Sequence, residues 1–554
     1  MPFGARLARL EALVRTFGPD PAREKVALLR ALDRASLPSA KMVERLHEAA
    51  LVARVHPDDD EVEAAATAIL ERFALRSDLR RHRAALVDTG IAGTDVRYPF
   101  HWVTARFLAR NWPERLAVDW ASLDDGADLE RVMPRLLGWI EAVEPGMRRA
   151  ELRRWLESLA SKTEPLGTFL VRRFERLPAD DAVREHLFEG LGLPLVLRGG
   201  PEGPCRGAWA LAGAPRAFVR AAPDRRRPDL RAAVAIPPKS VRWLRGREAT
   251  AAIDLARVTM LTRGRDLDAI KYGNPDDVRL VDAGDGLSFV CIGIVPEQRP
   301  TFETVYVFLV LQNGVPIGYY QSALLFGGAE LNFNVFPTFR GATTAAVYAR
   351  GLAMVRHLFD VDTFAVPPYQ IGHENEEALA SGAFWFYAKL GFRPHDPAIA
   401  SLLEAEDAAV QRDRSHRSSR AVLRKLARGY LYFHLGKPHD DVAGKLSLSA
   451  IARRISAVMT ARFGSERERG VRELDRWARP RLGVRTLTKA ERLAWERWLP
   501  LVAALPDLER WSRAELRGLA DVIRAKGAPV EERHAELLRA HRRLRRAIVA
   551  LAGH

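Results

Sequence analysis

The stretch from Glu330 to Pro394 constrains the fold of this chain more than any other. It begins ELNFNVFPTFRGATTAAVYARGLAMV, in which an apolar strand pattern passes through Pro337 and Arg340-Gly341 into a long helical pattern. A strand that turns sharply into a helix presents unpaired backbone N–H groups and the positive end of a helix dipole, and such an arrangement binds phosphate. We therefore predict that the chain is built around one cofactor-phosphate site at this turn.

The residues before this turn predict an antiparallel meander. Asn313-Gly314 is a strong signal for a two-residue hairpin, and it separates two runs rich in β-branched and aromatic residues. Strands are predicted at Val278–Val281, Leu287–Val295, Glu303–Gln312, Pro316–Leu325, Leu331–Phe336 and Thr363–Val366, with helices at Thr344–Leu358 and Ser381–Leu390 and a last strand after Gly391. This order is typical of an α+β fold with one mixed sheet and flanking helices.

Helical patterns lie on both sides of the predicted sheet. Residues 1–195 and 401–554 carry apolar residues at helical spacing, which predicts mostly α-helical regions. A segment rich in Gly, Pro and Arg at 196–237 has the composition of a linker or surface loop. The predicted order is therefore an N-terminal helical region (1–195), a linker (196–237), the domain with the sheet (238–400) and a basic C-terminal helical region (401–554).

Hydropathy and cysteine content exclude several classes of protein. Apolar runs such as Phe289–Val295 are far too short to cross a bilayer, and the first residues read as an amphipathic helix rather than a signal peptide. Two cysteines, Cys205 and Cys291, provide neither a disulfide framework nor a Cys-based zinc site. We expect a cytoplasmic protein with no membrane contact and no metal, whose oligomeric state is left open.

The positive charge is concentrated near the end of the chain. The net charge is +16, and residues 401–554 contain 33 Lys and Arg against 19 Asp and Glu. Such a surplus attracts the phosphates of nucleic acids, but Arg-rich faces are also often merely solvated. Nucleic-acid binding through residues 401–554 therefore stays an alternative that the sequence does not favour.

The motifs of the central region resemble a known family. The Asn313-Gly314 hairpin is followed by Val335-Phe336-Pro337-Thr338-Phe339-Arg340-Gly341, and the stretch closes with Phe386-Tyr387-Ala388-Lys389-Leu390-Gly391-Phe392-Arg393-Pro394. In this order the motifs resemble the core of the GNAT superfamily of acyl-CoA-dependent N-acetyltransferases, over residues of about 250–400. The resemblance implies a GNAT-like mixed sheet that takes acetyl-CoA or another acyl-CoA as co-substrate and transfers the acyl group to an amine acceptor of unknown identity.

The resemblance also implies roles for single residues. Tyr387 would protonate the leaving thiolate, and Glu330 would be the general base, with His373 and Glu374 as other candidates. Asn375, five residues from the position where the family often has an asparagine, would contact the cofactor. Val335 and Phe336 would lie at the kinked strand, whose backbone N–H groups would hold the acyl carbonyl. The pyrophosphate loop would consist of Arg340, Gly341, Ala342, Thr343, Thr344 and Ala345.

Two hypotheses about function follow from these residues. The first is an enzyme that transfers the acyl group directly, because no cysteine lies between Asn313 and Pro394 to form a covalent intermediate. The second is a protein that keeps the fold as a ligand sensor or scaffold with weak or no activity. Thr343 stands where the family prefers glycine and Ala380 where it often has asparagine, which favours the second hypothesis.

Overall fold

The computed structural model describes residues 2–553 apart from 124–126, 139–148, 208, 223, 225 and 266. Within these residues the chain is a mixed α/β protein with one large mixed sheet, one small sheet and flanking helices. It forms two compact units. The first comprises Met1–Pro223, Ala251–Tyr272 and Gln312–Pro316, and the second comprises Asp224–Thr250, Gly273–Leu311 and Ile317–His554.

The chain up to residue 223 is largely helical, as the apolar spacing predicts. The helices are α1 (Phe3–Leu13), α2 (Pro19–Asp33), α3 (Ala40–Val55), α4 (Asp60–Glu71), α5 (Ser77–His82), α6 (Trp102–Asn111), α7 (Ala127–Leu136), α8 (Arg149–Ser158), α9 (Leu166–Glu175) and α10 (Asp181–Gly190). Three short strands, β1 (Val96–Tyr98), β2 (Leu116–Val118) and β3 (Leu195–Leu197), form an antiparallel sheet in the order β1-β3-β2. The buried ring of Trp102 packs edge-on against Phe174 in the core beside this sheet.

After residue 223 the strands of the large sheet alternate with helices. Up to residue 394 the elements are α11 (Leu230–Val234), β4 (Ser240–Leu244), α12 (Arg247–Leu261), α13 (Asp268–Lys271), β5 (Gly273–Gly284), β6 (Leu287–Ile294), β7 (Thr304–Gln312), β8 (Val315–Leu325), β9 (Gly328–Val335), α14 (Thr344–Phe359), β10 (Thr363–Val366), α15 (Pro368–Ile371), α16 (Glu376–Ser381), α17 (Ala383–Lys389) and β11 (Arg393–Pro394). The remaining elements are α18 (Pro397–Arg412), α19 (Arg420–Leu426), β12 (Leu431–His434), α20 (Leu448–Phe463), α21 (Arg467–Leu482), α22 (Lys489–Ala504), α23 (Arg513–Lys526), α24 (Glu532–Ala540) and α25 (Arg542–Ala552).

The predicted strands and the long helix of the central region are confirmed, most of them with ends shifted by at most three residues. The exception is β5 (Gly273–Gly284), which is much longer than the predicted strand Val278–Val281. Strand β10 has the predicted bounds, and α14 is one residue longer than predicted. The predicted helix Ser381–Leu390 is wrong at its start, because α16 ends at Ser381 and α17 begins at Ala383, with Gly382 between them. This glycine has a φ of 67°, a left-handed conformation that ends a helix.

Nine strands form the large sheet in the order β11-β12-β10-β9-β8-β7-β6-β5-β4. Strands β9 and β10 run parallel, as α14 connects them by a crossover, whereas β8 and β9 run antiparallel. The predicted hairpin between β7 and β8 is confirmed. Asn313 and Gly314 have φ values of 51° and 78°, and a two-residue turn of type I′ needs positive φ at both positions.

Strand β12 comes from the region predicted to be mostly helical. Leu431 pairs with Val366 of β10 on one side and with Pro394 of β11 on the other, both antiparallel. Residues 401–554 are otherwise helical, as predicted, and they belong to the same compact unit as the large sheet. The boundary between the two units near residue 223 lies within the predicted linker.

A buried ionic network joins the loop after α23 to the large sheet. The Lys526 ammonium donates to the Glu531 carboxylate and, over 2.7 Å, to the Glu303 carbonyl. The Glu531 amide donates to the Asp277 carboxylate over 3.0 Å, and the Tyr306 hydroxyl donates to the same carboxylate over 2.7 Å. Burial raises the pKa of Glu531 and lowers that of Lys526, and each partner opposes the shift of the other. The loop after α23 is therefore held to the sheet by ionisable groups that are buried away from solvent.

Candidate functional site

Strands β9 and β10 pair over three residues and then separate. Gly328–Glu330 lies in register with Thr363–Ala365, whereas β9 continues to pair with β8 as far as Val335. Strand β10 ends at Val366, and the chain turns there into α15. The pairing of the two parallel strands thus stops at Glu330, and residues 331–335 of β9 pair with β8 alone. We call this unpaired side of β9 the gap, and it lies where the resemblance implies a kinked strand.

The backbone of β9 directs polar groups into this gap. The Phe333 carbonyl accepts a hydrogen bond from the Gln370 side chain, which lies 2.7 Å away beyond the end of β10. Because backbone groups alternate in direction along a strand, the Val335 amide points to the same side as the Phe333 carbonyl. The Phe336 amide instead donates to the Ile317 carbonyl of β8 over 2.9 Å. Of the two amides predicted to hold an acyl carbonyl, Val335 faces the gap and Phe336 is bonded to β8.

The predicted pyrophosphate loop forms the turn into α14. The Gly341 amide donates to the Thr344 hydroxyl, and the Thr344 amide donates to the Gly341 carbonyl, each over 3.1 Å. Gly341 and Ala342 are exposed, whereas Thr343, Thr344 and Ala345 are partly buried. The first amides of a helix have no partner within it, and they carry the positive end of the helix dipole. The start of α14 therefore offers an exposed, positively polarised turn to an anion.

The Arg340 side chain is held by three acceptors of the protein itself. Its Nε donates to the Val335 carbonyl over 2.9 Å. Its Nη2 donates to the side-chain oxygen of Asn334 over 3.2 Å and to the Glu377 carboxylate over 3.0 Å. A phosphate that binds Arg340 must compete with these acceptors, and Glu377 is the charged one among them.

Tyr387 lies on α17, packed into an aromatic cluster. Its side chain is buried, and its ring centroid lies 5.4 Å from that of Tyr348 and 5.8 Å from that of Phe392. Burial raises the pKa of Tyr387, and an interaction with the Gln370 side chain opposes this shift. The hydroxyl is therefore protonated at neutral pH, as a proton donor must be.

Glu330 lies on the opposite face of β9 from Phe333, because side chains alternate along a strand. Its carboxylate accepts a hydrogen bond from the Tyr430 hydroxyl over 2.9 Å. Its neighbours in the sheet are Ala323 on β8 and Ala365 on β10, so small side chains flank it on both sides. Burial raises the pKa of Glu330, and the bond from Tyr430 opposes this shift. The raised pKa and the small neighbours suit a group that accepts a proton.

Asn375 and the two other candidate bases lie in the turn before α16. The Asn375 side-chain oxygen accepts from the Ala378 amide, and its nitrogen donates to the Tyr369 carbonyl, each over 3.1 Å. These bonds give Asn375 the role of a helix N-cap. His373 and Glu374 are both exposed in the same turn.

The chain matches no protein-family model. It also has no match among the curated proteins or the solved structures that were compared with it.

Two residues of this site were missed by the sequence analysis. Gln370 is a polar residue shortly after the end of β10, a position that could have marked it as a group at a strand end. Tyr430 reaches Glu330 because β12 pairs with β10, and a strand of four residues so far along the chain gives no local sign of that pairing. Tyr430 donates to the predicted base Glu330, and Gln370 donates to the Phe333 carbonyl of the same strand.

A second polar cluster lies where β10 and β12 pair. The Thr363 hydroxyl oxygen is 3.0 Å from Nδ1 of His434 and 3.1 Å from Nε2 of His439. Nε2 of His434 lies 2.7 Å from Nε2 of His395, whose ring stacks on Tyr432. Burial lowers the pKa of His434 to about 4, helped by the two neighbouring histidines, so this imidazole is neutral at pH 7.

His439 lies between two carboxylates of the same cluster. Its Nε2 is 3.0 Å from Asp362 and its Nδ1 is 2.6 Å from Asp441. Hydrogen bonds to these two carboxylates raise the pKa of His439 to about 9. Arg545 on α25 also pairs with Asp441. These contacts tie the loop after β12 to β10 and to the last helix.

Across the described ranges of the chain, no group of three or more His, Cys, Asp or Glu is arranged to hold a metal ion. Among the helices of those ranges, none combines the length and the apolar character needed to span a bilayer.

Proposed function

We propose that the protein is an acyl-CoA-dependent N-acyltransferase, with acetyl-CoA as the first co-substrate to test. The observation that carries the proposal is that β9 and β10 stop pairing at Glu330, before β9 ends at Val335 and the chain turns into α14. An acyl thioester in the gap would meet the Val335 amide, and a pyrophosphate at the turn would meet Gly341 and the helix dipole. The parallel pairing of β9 and β10 and the position of Tyr387 also support the resemblance to the GNAT superfamily.

The proposed reaction is a direct transfer from thioester to amine. Glu330 accepts a proton from the acceptor ammonium, directly or through water, and the amine nitrogen then attacks the thioester carbon. The Val335 amide stabilises the oxyanion that forms. As the C–S bond breaks, the leaving thiolate takes the proton of the Tyr387 hydroxyl. The proton lost from the new amide nitrogen restores Tyr387 through solvent.

Acetyl-CoA binding and thiol release together test this proposal. Binding is measured by calorimetry, and release of the CoA thiol is followed with a panel of primary amines. Tyr387→Phe should lower kcat about 100-fold, a typical share for a general acid, with the Kd for acetyl-CoA unchanged. Tyr369→Phe is the matched control, because Tyr369 is 61% exposed on nearby α15. A wild-type protein that neither binds acetyl-CoA nor releases thiol would contradict the proposal.

A sensor or scaffold that binds the cofactor without turnover is the second candidate. The ion pair between Arg340 and Glu377 favours it, since the arginine of the turn is already paired with a carboxylate. Thr343 also adds a side chain where the family prefers glycine. Acetyl-CoA binding without thiol release from any amine would support the sensor over the enzyme.

Two further expectations belong to the same proposal. Several arginines of residues 401–554 pair with carboxylates, among them Arg424 with Glu376 and Arg479 with Asp475, which lowers the charge left for nucleic acid. A nucleic-acid role would require retention on oligonucleotides that survives physiological salt.

Cys205 and Cys291 are both buried thiols, which supports the expected reducing, cytoplasmic setting.

A further inference from the structure

A surface cavity lies between the loop after β12 and the last helix, α25. Its volume is about 520 Å³, which is within the range of small-molecule sites. The residues that line it include Asp440 and Asp441 from the loop and Arg542, Arg545, Arg546 and Val549 from the helix. The four helix residues recur at helical spacing, so they share one face of α25. We call this space the α25 cavity.

One of the three arginines in the α25 cavity is fixed by the protein itself. Nη2 of Arg545 donates to the Asp441 carboxylate over 2.7 Å, and Cζ of the same guanidinium lies 5.2 Å from the centroid of the Phe326 ring. The Asp440 carboxylate pairs with the Lys445 ammonium over 2.6 Å. Both carboxylates of the cavity are thus paired with cations, and the charge that remains is positive.

The other two arginines lie on either side of Arg545 along the helix face. In the part of the chain that the structure describes, neither Arg542 nor Arg546 makes a hydrogen bond or an ion pair, and both are exposed. Their charges repel each other, because side chains four residues apart on a helix are neighbours. The first turn of α25 contains no acidic residue, and the helix dipole disfavours cations at this end. An anion between the two guanidinium groups would offset both repulsions.

We propose that the α25 cavity binds a phosphate monoester. A guanidinium presents parallel N–H groups that match phosphate oxygens, so Arg542 and Arg546 can hold one dianion between them. Val549, one turn further along the same face, offers an apolar surface to the body of the ligand. Asp440 and Asp441 on the facing wall repel a long phosphate backbone, which favours a small ligand over a nucleic acid. The proposal does not rest on the acyltransferase function, because none of these residues belongs to the candidate site.

Phenyl phosphate is the probe, because it joins a phosphate dianion to an apolar ring. Calorimetry with the full chain at physiological salt measures its Kd. The double variant Arg542→Gln/Arg546→Gln should raise this Kd at least about tenfold, since it removes charge-assisted hydrogen bonds. Inorganic phosphate should bind the wild type at least about threefold more weakly, because it leaves Val549 uncovered. The matched control is Arg513→Gln/Arg517→Gln, two exposed arginines with the same spacing at the start of α23, which should change the Kd less than about twofold.

Urea unfolding without ligand accompanies the binding measurements. The variant Arg542→Gln/Arg546→Gln should be at least as stable as the wild type, because it removes a repulsion between like charges. A less stable variant would assign the two arginines a structural role and overturn the proposal. The proposal would also be overturned if the wild type showed no saturable binding of phenyl phosphate, or if the control variant lost as much affinity as the test variant.

Two further probes identify the source of the phosphate. Tighter binding of a thymidine decanucleotide than of phenyl phosphate would overturn the proposal in favour of nucleic acid. Vesicles that contain phosphatidic acid carry the same phosphate monoester on a lipid. Retention on these vesicles that is lost in Arg542→Gln/Arg546→Gln would support the site and assign its ligand to a lipid headgroup. Binding of phenyl phosphate without retention on the vesicles would support a soluble phosphate monoester.

Discussion

Glu377 forms an ion pair with Arg340, in which Oε1 of the carboxylate lies 3.0 Å from Nη2 of the guanidinium. The pair occupies the arginine that we propose for the pyrophosphate of CoA. The Glu377 carboxylate occupies a guanidinium N–H that could otherwise bind a phosphate, and its negative charge repels an incoming anion. Cofactor binding should therefore be weaker than the turn at Gly341 would allow without Glu377.

Glu377→Gln should tighten the binding of acetyl-CoA. The expected decrease in Kd is about two- to fivefold, the scale of an exposed ion pair. Glu376→Gln is the matched control, because Glu376 is the preceding residue of α16 but pairs with Arg420 and Arg424. Calorimetry measures both. An equal change in the two variants, or weaker binding in Glu377→Gln, would show that the pair does not compete with the cofactor.

The pH dependence of the reaction should respond to Tyr430. The Tyr430 hydroxyl donates to the charged Glu330 carboxylate and so opposes the rise in pKa that burial causes. Tyr430→Phe removes this donor and should raise the pKa of Glu330 further. A base is active when it is unprotonated, so the acidic limb of the kcat/KM profile should move to higher pH. Tyr432→Phe, whose hydroxyl donates to the Ala443 carbonyl, should leave the limb in place.

The His439 cluster should make stability depend on pH above neutrality. The pKa of His439 is raised from 6.5 to about 9, so its stabilising contribution is complete below about pH 6.5 and is lost as the pH rises through 9. His439→Gln should lower the free energy of unfolding at pH 6 by about 3 kcal/mol, and the difference from wild type should shrink towards pH 9. Urea unfolding at several pH values measures it.

The control for this experiment is His416→Gln, which removes a histidine that pairs with Glu406 near the surface. It should cost less than about 1 kcal/mol at pH 6. A loss of stability in His439→Gln that is the same at pH 6 and pH 9 would contradict the contribution of the charged imidazole.

The buried network at Lys526 should be much more sensitive than surface ion pairs. Glu531→Gln leaves the Lys526 ammonium without its carboxylate in a buried site, and removal of one partner of a buried pair costs about 3–5 kcal/mol. Glu536→Gln, on the following helix α24, breaks an exposed pair with Arg533 and should cost less than about 1 kcal/mol. Urea unfolding compares the two, and equal costs would contradict the burial argument.

Short-range sequence patterns predict the parts of the fold that depend on neighbouring residues. The Asn313-Gly314 turn follows from two positions that tolerate positive φ, and α14 follows from its apolar spacing. Strand β12 could not be predicted, because four residues that pair with β10 and β11 gain their stability from those partners. The break at Gly382 was also missed, since a single glycine within a helical pattern is often tolerated.

The candidate site, too, could be predicted only where its residues belong to local sequence motifs. The position of Tyr387 follows from a local motif on α17, and Glu330 follows from its place on β9. The interactions that tune them involve Gln370 and Tyr430, and the latter is 100 residues from Glu330 along the chain. Whether two such side chains meet depends on strand pairing and on the turn after β10, which no local pattern contains.

Strand β12 has a consequence for the order in which the chain can fold during synthesis. Until residues 431–434 leave the ribosome, the edge of β10 has no partner on the side that β12 later covers. An open strand edge is a template for pairing with another chain. The packing of the second compact unit can be completed only later still, once Lys526 and Glu531 have been synthesised and contact the sheet. Nascent chains that end between β11 and β12 should therefore be the ones that depend most on chaperones.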